Sequence, residues 1–453
     1  MNRKDVIQDF TQGPIFKRLL LFSIPFMLSN ALQVLYSMTD MVIVGKFIGS
    51  HGISAVTIAS QLVFIIMMLG MGFSTGGQVM ISQVVGSGDR NRLSPVIGTL
   101  FSMVMLLGIA MSLLSVMLVK PVLHLMQTPE QAFDDAAAYL MICGGCSVFI
   151  YGYNMATAVL RGVGDSFRPF LFIVISSLLN IVLDLVFVAC FKWGVAGAAF
   201  ATALSQIVAF ALSLEYLYRN RAGFGFDFKL RSFVMDRAIL KALIKLGIPF
   251  AIRFAAINVS MLFVLALINS IGVAASAAFG VAMRLDEFAN KISQGVMMAV
   301  STITAQNMGA GKFDRIRRAV WDAWIISGGF FLVFGFLLWF YPEQMFGIFT
   351  DDPEVLKLSS RILSLILLHY PALLIMKGTN GFLQGIGDAF FSLIIALLDG
   401  FVFRITFSWL LGIWFGWGLT GIVLGYALAT YATALPNLFY FLFLPWHKRK
   451  KVI

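Results

Sequence analysis

The sequence predicts an all-α integral membrane protein with twelve transmembrane helices in two six-helix lobes related by pseudo-two-fold symmetry. Three observations carry this prediction. The 453 residues are 59% hydrophobic and only 12% charged, about half the charged fraction of a soluble domain. The apolar runs are long and continuous rather than alternating, which in hydrocarbon means helices and not a barrel. The chain also repeats itself: ISQVVGSGDRNR at 81–92 returns as TAQNMGAGKFDR at 304–315, and LRGVGD at 160–165 as LQGIGD at 383–388. WGVAG at 193–197 returns as WGLTG at 417–421, and SIPF at 23–26 as GIPF at 247–250. Six spans per copy is an even number, so both copies enter the membrane the same way up, as parallel repeats do.

In chain order, the apolar segments run over 19–44, 53–85, 95–119, 136–158, 169–191 and 194–217. The second set covers 247–270, 273–308, 320–341, 358–377, 389–411 and 418–445. The predicted organisation is therefore an N-terminal lobe at 1–217, a connector at 218–246, a C-terminal lobe at 247–445 and a basic tail at 446–453. Residues 1–13 are polar and the first apolar run is a full span, so no cleavable leader is expected. The net charge of +11 follows topology. With both termini in the cytoplasm, the external side holds only Lys46, Lys120, Lys192, Lys357 and Arg361. Most other Lys and Arg fall in cytoplasmic segments: the N-terminus, the loop at Arg90 and Arg92, the connector, the loop at 309–319, Lys377 and the tail. The positive-inside rule then fixes the orientation, and the basic surplus is not a nucleic-acid patch.

No phosphate loop, nucleophile elbow or metal-ligand cluster is present, so no cofactor and no enzymatic chemistry are expected. His51, His124, His369 and His447 are scattered. Cys143, Cys146 and Cys190 lie in apolar runs, and Cys-Gly-Gly-Cys inside a span reads as small-residue packing.

Polar residues inside spans carry the functional prediction. Asn180 and Asp184 lie four residues apart, on one helix face, within SSLLNIVLDLVF. An ionised carboxylate in hydrocarbon costs several kcal/mol, so such a residue faces a cavity or a partner. Counting from the loops puts Asp40 about 33 Å beyond Arg18, Asp184 about 24 Å beyond Arg168, and Thr202 about 13 Å below Trp193. Asp40, Asp184 and Thr202 thus fit one level, with Asn180 one turn deeper and Tyr36 one turn below Asp40. Two carboxylates, a carboxamide and a hydroxyl suit Na⁺ or a shared proton. Asp40, Asn180, Asp184 and Thr202 are the predicted coupling site, and the ligand set if the ion is Na⁺. Tyr36, Asp40, Asn154 and Asp184 are the predicted substrate contacts. Pro25 and Pro249 occupy equivalent points of the two halves and permit bending; Pro25 is a gating candidate, with a fixed kink as the alternative. In the second lobe, Arg284 and Asp286 count to near the outer surface, and Arg284 with Glu287 and Glu287 with Lys291 have salt-bridge spacing, which fits a structural ladder or a binding role equally. Asp399 and Arg404, five apart, are expected to pair with other helices.

The doubled Gly-x-Gly-Asp after spans four and ten, and Ala-Gln-Asn-x-Gly-Ala-Gly at the end of span eight, resemble the multidrug and toxic compound extrusion (MATE) family. The resemblance covers essentially the whole chain. It implies a V-shaped, two-lobed antiporter of the bacterial inner membrane, a monomer exporting bulky, cationic compounds against an inward H⁺ or Na⁺ gradient. In the DinF-like branch an acid on the first helix, an Asn and an Asp on the fifth and a Thr on the sixth form the ion site, and Asp40, Asn180, Asp184 and Thr202 match them. The NorM-like branch adds acids on helices seven and ten. Here the seventh span carries Arg253 and Asn258 and the core of the tenth has no acid, so that site is not carried over. The 23 methionines suit an adaptable cavity wall. A flippase for a lipid-linked saccharide or other amphiphile is the competing reading; it calls for a lateral basic groove, whereas the first lobe is acidic.

The orientation is testable. A single cysteine at Lys229, on a cysteine-free background, should react with an impermeant maleimide only after permeabilisation. Strong labelling on intact cells would overturn the twelve-span topology.

Overall fold

Inside hydrocarbon every backbone N–H and C=O needs an internal partner, and helices provide one within each segment. In the computed structural model, which describes residues 7–452, every regular element is helical. Among the described residues nine helices are long and apolar enough to cross a membrane, from Ile15–Phe47 to Gly418–Phe443. Two further crossings are bent pairs: Glu130–Gly145 with Ser147–Gly162 (44°), and Pro353–Leu367 with Tyr370–Gly385 (43°). The twelfth is Val273–Gly309, whose 37 residues include Arg284, Asp286, Glu287 and Lys291. Twelve spans in two sets of six result, and the bent pairs take the fourth place in each set. The second bend falls where Pro371, lacking an N–H, opens a new helix.

Several of the sequence-predicted boundaries shift: the seventh helix opens at Arg237 rather than 247 and the ninth at Phe313 rather than 320. The fourth span continues to Gly162 and the tenth to Gly385. Lys377 is therefore buried within the tenth span, at 5% exposure, rather than marking its cytoplasmic edge.

The chain divides into two compact units, one built on Leu28–Ala251 and the other on Phe10–Met27 with Ile252–Lys451. These limits differ from 1–217 and 247–445. The first helix, Ile15–Phe47, contributes its opening turns to the second unit, where Leu19, Phe22 and Phe26 join a core with Val296, Val300, Ile303 and Phe382. The segment 218–246 packs on the first unit. Ser102 donates to the Phe233 carbonyl (2.6 Å), and the Thr99 hydroxyl accepts from the Asp236 N–H (3.1 Å). The Gly-Phe-Gly-Phe stretch supplies rings to this contact: Phe226 lies 5.3 Å from Phe233, which lies 4.9 Å from Phe101.

The doubled motifs are doubled pieces of geometry. In Gly-x-Gly-Asp the second glycine takes a left-handed conformation (Gly164 φ +93°, Gly387 φ +78°) that stops one helix. The aspartate then caps the next. Asp165 accepts from the N–H groups of Phe167 and Arg168 (both 3.1 Å), and Asp388 from that of Phe391 (3.2 Å). In the Trp-Gly-x-x-Gly pair the last glycine lets the closing helix of each unit touch its predecessor. A Cβ on Gly421 would stand 2.2 Å from the Leu411 carbonyl oxygen, and one on Gly197 3.2 Å from the Phe187 carbonyl carbon.

That difference predicts an asymmetric outcome. Gly421→Ala must displace backbone and should cost about 1–3 kcal/mol, the usual penalty of overpacking. Gly197→Ala should cost visibly less. Equal melting temperatures for the two purified variants would overturn this account of the motif.

Candidate functional site

A buried polar cluster of the first unit lies where helices one, four, five and six meet. Helix five, Phe167–Asp184, continues as a π-helical turn over Leu185–Cys190 that starts directly after Asp184. Such turns are a frequent mark of functional positions, because the extra residue re-aims the side chains around it. Asn180 and Asp184 are 1% and 0% exposed. The i, i+4 spacing places both on the buried face.

The Asp40 and Asp184 carboxyl groups are hydrogen-bonded to each other. Two acids in that relation need a proton between them. Asn180 completes the arrangement: its amide Nδ2 donates to Asp184 Oδ2 (3.2 Å), and its Oδ1 accepts from the Thr202 backbone N–H (3.3 Å). Asp40 Oδ1 and Asp184 Oδ1 are each buried without a hydrogen-bond partner. Buried acceptors left open in this way suit a proton or a hard cation. Among the described residues no group of three or more His, Cys, Asp or Glu could hold a metal ion. A Na⁺ here would have to complete its shell from Asn180 and Thr202.

Tyr36 lies one turn from Asp40, close enough to feel both carboxyls. Asn154 is elsewhere on helix four, and among the described residues no hydrogen bond joins its side chain to the cluster; its backbone carbonyl accepts from Thr157 (3.0 Å). Pro25 sits in the opening part of helix one that belongs to the second unit. The sequence reading missed Tyr139, which is 5% exposed, hydrogen-bonds the Thr202 side chain and interacts with Cys143. Its position one turn from Cys143 on helix four was visible in the sequence, but its azimuth was not. Cys143 is free and buried, with its thiol donating to the Ala199 carbonyl at 3.6 Å.

In the second unit the acids are already partnered. Asp286 is 2% exposed and meets His369 Nε2 at 2.9 Å. Asp399 and Arg404 pair with each other (2.8 Å), and each also reaches another helix as expected, Asp399 bonding Thr433 and Arg404 donating to Met261 Sδ (3.4 Å). The two can pair because Leu398–Arg404 is π-helical, so residues five apart align. Arg284 and Glu287 form an exposed ion pair at 3.8 Å.

Comparison with known proteins agrees with this architecture. The MatE family model matches twice, over residues 25–186 and 249–410, which restates the internal duplication. "Probable multidrug resistance protein YoeA" of Bacillus subtilis is 30% identical over 81% of this chain and 80% of its own length. YpnP of the same organism, also titled a probable multidrug resistance protein, is 28% identical over 98% of both chains. A solved structure described as the outward-facing conformation of a multidrug resistance MATE family transporter superposes with a TM-score of 0.91. It is 23% identical and covers 97% of this chain and 98% of its own. With two family matches spanning most of its length and a relative at 30% identity, the chain belongs to the MatE family of membrane transporters.

Proposed function

We propose that the chain is a secondary active antiporter of the bacterial cytoplasmic membrane, with both termini cytoplasmic. By alternating access it exports bulky, cationic drugs or toxic compounds in exchange for H⁺ or Na⁺. The multidrug names of its relatives support drug export. The observation that carries the coupling is the contact of Asp40 with Asp184, helped by Asn180.

The chemistry follows from charge. With the pair ionised, two negative charges attract a cationic substrate. When an ion binds, the pair is neutralised and that attraction is lost. Differential affinity of this kind is what lets ion binding drive substrate release, and the coupling is reciprocal. The direct carboxyl–carboxyl contact favours H⁺ as the coupling ion. Na⁺ would instead use the oxygens of Asp40, Asn180, Asp184 and Thr202.

Ethidium export from proteoliposomes, with pH and Na⁺ gradients imposed separately, tests both points. Asp40→Asn and Asp184→Asn should each lower gradient-driven export at least ~10-fold while leaving folded, ethidium-binding protein. Because the carboxyls act as a unit, the double variant should be scarcely worse than either single one. Ion-coupled export surviving in either variant would refute the assignment.

Tyr139→Phe is a milder probe. Losing one hydrogen bond to Thr202 should cost about 1 kcal/mol of stability. It should also slow coupled export several-fold without changing ethidium affinity. Unchanged export in Tyr139→Phe would remove Tyr139 from the site.

A further inference from the structure

Among the described residues, not every buried charge of the second unit has an ion-pair partner; the buried acids Asp322 and Asp388 are held by Arg318 and Arg449. Asp399 is held by Arg404, and Asp286 by His369 at 2.9 Å and by the Tyr426 hydroxyl. Two cations are left over. Lys377 lies inside helix ten, and among the described residues its ammonium donates to neutral groups, the side-chain oxygen of Asn290 and the Asn290 carbonyl (3.3 Å). Arg253 lies midway along helix seven, Arg237–Asn269, one turn past Pro249, and is 8% exposed. Among the described residues its guanidinium forms no hydrogen bond or ion pair. Arg253 and Lys377 are near enough to repel each other, although the attraction of Asp286 for the lysine is the larger of the two effects. Asp286 and Asn290 lie four apart on helix eight and share a face, so helix eight presents one partnered acid and one amide to this region.

A buried charge without a partner is strongly disfavoured, most of all at membrane depth. Arginine is also the side chain whose planar fork matches a carboxylate or phosphate bidentately. We propose that Arg253 and Lys377, with Asn290 holding the lysine ammonium, form an oxyanion-binding subsite in the second unit. The group it takes is a carboxylate or a phosphate, carried either by the transported molecule or by a lipid headgroup. In the first case the substrate class extends beyond simple cations to molecules that also carry an anionic group. This extension rests on the antiporter reading, but the subsite itself does not depend on ion coupling.

Rhodamine 123 and rhodamine 110 are the same cationic dye as methyl ester and as free carboxylate. Their binding to purified full-length protein in detergent, read by fluorescence anisotropy, needs no ion gradient and so fails or succeeds independently of the coupling site. Arg253→Gln should weaken the carboxylate dye about ten-fold and the ester less than two-fold, with Lys377→Gln acting in the same direction. Melting in nanodiscs separates the two sources of the oxyanion. A gain in melting temperature when phosphatidylglycerol is added to phosphatidylcholine, present in the wild type and absent in Arg253→Gln, assigns the group to a lipid. A loss confined to the carboxylate dye assigns it to the solute. Without its unpartnered charge, Arg253→Gln should melt no lower than the wild type in phosphatidylcholine alone. The proposal is overturned if both dyes weaken equally, or if neither weakens and the phosphatidylglycerol effect persists. It is also overturned if Arg253→Gln fails to fold while Lys377→Gln leaves the two dyes indistinguishable.

Discussion

The constraint on which this structure depends is that an ionisable group placed in hydrocarbon must be neutralised on the spot. Most of the chain avoids the problem by being apolar. Where it does not, the solution determines what each unit can do. In the first unit Asp40 and Asp184 meet each other, a contact that holds only while a proton or another cation is present. In the second unit Asp286 meets a histidine and a tyrosine, and Asp399 meets an arginine. A self-partnered acid pair can be switched by an ion, whereas an acid paired with arginine cannot.

The backbone prepares these meetings. The π-helical turn after Asp184 and the one carrying Asp399 and Arg404 both occur on the fifth helix of their unit. In each unit the glycine of Trp-Gly-x-x-Gly brings the sixth helix against that same distorted helix. Close approach and local unwinding belong together. The wider π turn displaces backbone toward the neighbouring helix, and a residue without Cβ leaves room for it. Thr202 stands on the sixth helix of the first unit, five residues past Gly197, so its N–H reaches Asn180 through this contact. The glycine motif therefore fixes the distance across which the site is built.

What could be read from the sequence follows from the same geometry. Span number, the duplication and the depth of Asp40, Asn180, Asp184 and Thr202 depend on hydropathy and on a rise of about 1.5 Å per residue, both one-dimensional quantities. Azimuth is not one-dimensional, so Tyr139 stayed hidden at a compatible depth. The pairing of Asp286 with His369 spans 83 residues and leaves no local trace. The direct pairing of Asp399 with Arg404 was missed for a different reason: five residues apart is the wrong spacing for an α-helix and the right one for the π turn that forms there. The division of helix one between the two units also escaped notice. Its apolar run is continuous, and only packing shows that Phe22 and Phe26 belong to the core that contains Val300 and Phe382.

The offset of 224 between Trp193 and Trp417 allows the two units to be compared position by position. Asn180 corresponds to Arg404, Asp184 to Ser408 and Thr202 to Tyr426. One helical frame has been written twice and filled with opposite chemistry. In the first copy the positions of helices five and six supply an amide, an acid and a hydroxyl, leaving net negative charge to be met from outside the protein. In the second, Arg404 lies 5.2 Å from the Tyr426 ring and its charge is taken up by Asp399. The consequence is a division of labour that the duplicated backbone alone would not suggest. Among the described residues the first copy holds facing carboxyls at Asp40 and Asp184, and the second buries positive charge at Arg253 and Lys377.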